Sequence, residues 1–156
     1  MNAYLTPESY LPHRRPMVVL DEVKNVTDDS VDTRSFVKKD KALGFFLEDD
    51  DTLSTSIIIE LFAQSVGVWS GYFAKANGAD ICPMGMLLGG RDIKANVKHF
   101  TLGTELNISM KMLMQDGDLA TFEGIIKNGF DNEVLASGRI NVIALNDEQM
   151  KVLFRR

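Results

Sequence analysis

Glu60 is the one acidic or basic side chain between Asp51 and Lys75, and Gln64 stands one helical turn after it. A carboxylate set among Ile57, Ile58, Ile59, Leu61 and Phe62 should be partly desolvated. That favours its neutral form and suits proton transfer, although a place near a helix N-terminus pulls the other way. The alternative is a solvent-facing residue that complements the helix dipole. Two histidines could share proton-transfer work, His13 and His99. His13, in Leu11-Pro12-His13-Arg14, reads as a structural residue hydrogen-bonded at the start of the first strand, with a catalytic part as the alternative. His99 stands near a strand end and reads as surface or rim. Cys82 precedes Pro83 with no evident base beside it, so it reads as a small buried hydrophobe rather than a nucleophile. One Cys and two His do not make a zinc site of the usual ligands. The acidic run from Glu48 to Asp51 lacks the spaced oxygens and central glycine of a calcium loop and reads as solvated. No metal and no other cofactor is expected.

Positioning these groups falls to one domain spanning residues 1–156. The length is near the commonest domain size, and 45% hydrophobic with 25% charged residues is ordinary globular composition. A net charge of −5 argues against a phosphate-coating nucleic-acid binder. The start of the chain has no uninterrupted apolar core of the signal-peptide kind, and a lone Cys suits a reducing compartment, so a cytoplasmic location is expected. Leu53 to Ala74 is the most apolar stretch, but it contains Glu60, Gln64, four serines, a threonine and two glycines. It reads as a buried helix and not a membrane span.

Strands are predicted over Met17 to Val26 and Ser30 to Lys39, then a loop through Ser56 whose Ser and Thr residues offer N-caps. A helix follows from Thr55 to Asn77, stopped by Asn77-Gly78. A strand over Gly85 to Lys98, broken at Gly89-Gly90, precedes an antiparallel run. There the even positions Leu106, Ile108, Met110, Met112 and Met114 alternate with polar residues, which buries one face. Turn signals fall at Gln115 to Asp118 and at Asn128 to Asn132. The pattern is α+β, a sheet wrapping one helix. On that helix, at about 100° per residue, Glu60, Gln64, Gly67 and Gly71 share one side. Ile58, Phe62, Val66, Trp69 and Phe73 share the other, which is the core. The glycine stripe permits close approach of another backbone or of a thin ligand chain.

Leu-Pro-His-Arg-x-Pro-Met with a following Leu-Asp (residues 11–21), Glu-x-x-Ala-Gln (60–64) and Gly-x-Leu-Leu-Gly (85–89) occur in order at compatible spacing. In this the chain resembles the hot-dog fold dehydratases of 3-hydroxyacyl chains carried on acyl carrier protein, most of all the smaller dehydratase-like subunits of aryl-polyene synthesis. The resemblance implies a dimer with sheets joined edge to edge and an acyl tunnel at the protomer interface. It implies that Glu60 donates a proton to the departing hydroxyl, that a histidine takes the proton next to the thioester, and that N–H groups near the helix start polarise the thioester carbonyl. It also marks Phe45, Phe46, Ser56, Gln64 and Gly67 as substrate-binding positions. The family's usual base lies in a Gly-His-Phe-Pro segment. Counting back from Glu60 lands on Phe46, and matching the glycine lands on Phe45, so no histidine stands at that place; His13 or a water is then the second participant.

Two readings follow, with a third behind them. The chain is a dehydratase acting through Glu60, or a catalytically incomplete subunit paired with a complete hot-dog partner, as a homodimer or heterodimer. The third is an acyl thioesterase on the same fold. Arg14, Arg15, Arg91, Lys94 and Lys98 either gather at a tunnel mouth to steer an acidic carrier protein or are scattered surface charge.

Overall fold

The computed structural model describes residues 3–79 and 85–144, so Cys82 lies outside the described residues. In chain order the elements are β1 (Glu22–Val26), β2 (Ser30–Phe36), β3 (Leu53–Ser54), the helix α1 (Ile57–Ala76), β4 (Gly85–Ala95), β5 (His99–Phe100), β6 (Glu105–Asp116), β7 (Leu119–Asn128) and β8 (Val134–Ala144). Six strands form one antiparallel sheet in the order β1-β2-β6-β7-β8-β4, while β3 pairs with β5. The sheet wraps α1, which packs against β2, β6 and β8. This is the expected α+β hot-dog arrangement. By length and composition α1 could pass for a membrane span, but Ile57, Ile58, Leu61, Phe62, Val66 and Val68 are buried against the sheet, as in a core helix.

Alternation builds the core. Val31, Thr33 and Ser35 of β2, Leu106, Ile108 and Met110 of β6, and Ala120, Phe122 and Ile126 of β7 all face α1. A buried polar link ties helix to sheet: the Thr33 and Ser65 hydroxyls lie 2.7 Å apart, and Ser65 also donates to the Leu61 carbonyl. Burial along β6 stops sooner than its pattern predicts, because Met112 is half-buried and Met114 is exposed. The reason is length. β2 covers β6 only as far as Lys111, and the register shifts between Met112 and Met114. The turn signal at residues 115–118 is a two-residue hairpin loop with Gly117 at φ 60°. Asn77 caps α1 and Gly78, at φ 84°, turns the chain away.

Several boundaries differ from the sequence expectation, with β2 ending at Phe36 and not Lys39 and β4 at Ala95 and not Lys98. The first strand begins at Glu22, not Met17. Val18, Val19 and Leu20 are wholly buried between helix and sheet, so this segment cannot alternate, and side chains hold it instead. Ser35 donates to the Val19 carbonyl at 2.8 Å, and Asp21 accepts the N–H groups of Phe36 and Ala42. The helix begins at Ile57 with Ser56 as its N-cap residue, but the serine side chain makes no capping hydrogen bond. In the acidic loop, the Thr52 hydroxyl and N–H both donate to Asp50 and hold its carboxyl below the usual carboxylate range.

Candidate functional site

Gln64 is the knot of the site. It is buried, and its carboxamide is fully used: the oxygen accepts the Val19 N–H at 2.9 Å, and the nitrogen donates to the Met17 carbonyl at 2.9 Å and to Glu60 Oε1 at 2.8 Å. One side chain therefore holds the segment 17–19 under the helix and aims the carboxylate. The i, i+4 spacing on α1 makes the Glu60–Gln64 contact local. Replacing Gln64 with Leu is expected to leave the Val19 N–H and the Met17 carbonyl unpaired, at about 1–3 kcal/mol for each. A lowered urea midpoint with an unchanged slope would record that loss.

His13 reaches the same place from the N-terminal loop. Its Nε2 lies 4.0 Å from Glu60 Oε1, its side chain is 39% exposed, and its Nδ1 is buried without a hydrogen-bond partner. Arg14 fastens this loop by donating to the carbonyls of Leu11 at 3.0 Å and His13 at 2.7 Å. The desolvation anticipated for Glu60 is not found, since the carboxylate side chain is 46% exposed. Its apolar sequence neighbours radiate from α1 in other directions, and Ile57, Ile58, Leu61 and Phe62 point into the core.

His13, Glu60, Gln64 and Gly67 all line a cavity of about 480 Å³ between α1, the start of β4, the end of β8 and the β6–β7 hairpin. Its helix wall is Ala63, Gly67 and Ser70, small residues at i, i+4 and i+7. Gly67 belongs to the glycine stripe, whereas Ala63 and Ser70, between that stripe and the core stripe, were not singled out from the sequence, although the run of small residues was a usable signal. The walls from Met86, Leu87, Val142 and Ile143 carried no such signal, because they come from strands distant in sequence.

The glycine stripe is occupied mainly by the chain itself. A Cβ on Gly71 would overlap the Tyr10 carbonyl, and one on Gly67 would come within 2.8 Å of Leu11 Cδ2. Of the alternatives left open, close approach of a backbone is the one realised at Gly71.

Phe45, Phe46 and Ser56 are not brought to the cavity. The two phenylalanines end a 3-10 turn (Ala42–Phe46), edge to face at 5.2 Å, with Phe45 largely exposed and Phe46 packed against the core. Ser56 is exposed and its hydroxyl lies 3.0 Å from that of Ser54. Two N–H groups at the helix start are already engaged, Ser56 with the Ser54 hydroxyl and Ile58 with the Thr55 carbonyl. His99 pairs with Ser54 through β5 and β3 and does not line the cavity. None of Arg14, Arg15, Arg91, Lys94 and Lys98 lines the cavity: Arg15 is paired with Glu8 at 3.1 Å, while Arg91 and Lys94 sit on the edge strand β4.

A long helix wrapped by an antiparallel sheet, with a carboxylate of its first turn at an apolar cavity, defines a hot-dog protein. The model of the ApeP-like family, described as ApeP dehydratase, matches residues 5–153. The chain belongs to the ApeP-like dehydratase family. It is similar to a chain of the dehydratase heterocomplex ApeI:P from Xenorhabdus doucetiae, with 39% identity and a TM-score of 0.89 over 98% of this chain and 99% of that one. A hypothetical thioesterase from Streptococcus pneumoniae, in complex with coenzyme A, matches at 14% identity and a TM-score of 0.61, over 80% of this chain and 85% of that one. The PaaI protein of the phenylacetic acid degradation operon of E. coli matches at 11% identity and a TM-score of 0.57, over 78% and 81%. These last two share the fold. No protein of curated function matches by sequence.

Proposed function

We propose that this chain works in the cytoplasm as a single hot-dog domain, the carboxylate-bearing subunit of a dehydratase pair. Its substrate is a 3-hydroxyacyl thioester on acyl carrier protein, in aryl-polyene-type synthesis. The observation that carries this is Glu60, aimed by Gln64 and 4.0 Å from His13, at the wall of a largely apolar cavity. The cavity takes the acyl chain and the polar cluster takes the reacting carbons. The Glu60 carboxyl gives a proton to the β-hydroxyl, which leaves as water. A base removes the proton from the carbon next to the thioester, and that electron pair forms the new double bond. His13 is the imidazole beside Glu60 among the described residues and is the base in this chain's own site.

A second reading has a specific motive. Phe45 and Phe46 stand where the resemblance expects a histidine, and the similar Xenorhabdus protein was described in a heterocomplex. On this reading the partner's imidazole is the base, and Phe45, Phe46 and Ser56 meet substrate only in a site shared between subunits.

The experiment is a turnover assay on 3-hydroxyacyl carrier protein, using the chain alone and co-purified with a hot-dog partner from the same gene neighbourhood. Enoyl product from the chain alone, lost in His13→Ala, supports the self-contained site. Product only from the complex, little changed by His13→Ala, supports the shared one. Free thiol without enoyl product points to thioester hydrolysis, and no product from either preparation rejects dehydration.

A further inference from the structure

The cavity has one aromatic corner. Trp69 of α1 and Phe122 of β7 both line it, with ring centroids 5.5 Å apart and planes at 68°, and Phe73 supports Trp69 from another side at 5.5 Å. The corner is rigid. Phe122 is wholly buried, and the indole N–H donates to the Thr27 carbonyl in the β1–β2 turn at 3.0 Å, which fixes the ring orientation.

Its place relative to the reacting groups is set by helix geometry. From Glu60 to Trp69 the helix rises about 14 Å and makes about two and a half turns, which leaves the two side chains about half a revolution apart. The two residues therefore flank opposite ends and opposite edges of the Ala63–Gly67–Ser70 wall. A chain whose functional end lies at Glu60, and which follows that small-residue wall, meets Trp69 and Phe122 about 14 Å further along the helix.

We propose that Trp69, backed by Phe122, is the specificity-determining residue that sets the longest acyl chain this cavity admits. The inference rests on reading the cavity as the acyl site. A wall of packed rings cannot yield to an extra methylene as a flexible aliphatic side chain would, and a methylene that has no room costs roughly tenfold or more in recognition.

The test is binding of 3-hydroxyacyl pantetheine thioesters of increasing chain length to the full-length chain, followed by calorimetry and by intrinsic fluorescence. Trp69 is the only tryptophan, so its emission reports on this corner alone. Affinity should rise with length to a limit and then fall roughly tenfold or more per added methylene. Emission should move with chains near the limit and stay unmoved with the shortest that bind. Trp69→Ala should shift the limit to longer chains. Trp69→Phe keeps a ring and should keep the limit, and Trp69→Leu serves in place of the alanine variant should that one not fold. An unchanged limit in Trp69→Ala or Trp69→Leu, or emission unmoved by every chain that binds, overturns the proposal. Chains that bind with a shifted limit but are never dehydrated count against the proposed reaction and leave this inference standing. Failure of every chain to bind rejects both.

Discussion

Glu60→Gln is expected to lower the rate of enoyl formation by about 10²–10⁴-fold, in whichever assembly shows activity, with little change in folding stability. The substitution is close to a pure chemical deletion. The new side chain keeps an amide oxygen where Oε1 accepts from Gln64, so the clasp on the segment 17–19 persists while the transferable proton is gone. The loss should fall on kcat, because the carboxyl acts on the hydroxyl as it departs, and leave substrate affinity within a few-fold. His13→Ala, measured beside it, locates the base as described above. A Glu60→Gln protein that retains most of its activity would show that the carboxyl is not the proton donor.

A large stability effect is also expected at Gly71. In the middle of a helix, replacing glycine with alanine ordinarily stabilises by about 1 kcal/mol. Here the sign should reverse. The new methyl would overlap the Tyr10 carbonyl, a backbone group that cannot rotate aside, so Gly71→Ala should destabilise by about 3 kcal/mol or more. Gly67→Ala makes the comparison informative. Its methyl meets the end of the Leu11 side chain at 2.8 Å, which can shift, so its effect should be much smaller. Urea titrations of the two variants test the contrast, and equal midpoints would contradict the tight packing of residues 10–11 on α1.

Much of this site was legible because its key contact is local. Glu60 and Gln64 meet through helical spacing, which periodicity predicts without knowledge of the rest of the fold. The stop at Asn77-Gly78 and the hairpin at Gly117 were legible for the same reason, since each depends on the conformational freedom of a glycine in a short segment. Positions carried over by motif alone fared differently. Phe45, Phe46 and Ser56 were placed by chain position, and in the single chain they stand apart from the cavity. The start of the first strand was misjudged because Val18, Val19 and Leu20 look like a strand, yet they are buried on every side.

Local order, through the spacing of apolar, polar and glycine residues, was enough to define one long two-sided helix, an antiparallel sheet and a carboxylate with a glutamine beside it. Contacts between residues far apart in the chain required the folded structure. Only folding brings His13 to Glu60, 47 positions away by subtraction (60 − 13), at 4.0 Å. Only folding lays Tyr10 on Gly71, and only folding closes the cavity with β4, β8 and the β6–β7 hairpin. Periodicity says which way a side chain faces within its own element, whereas a site is made by what the other elements bring to that face.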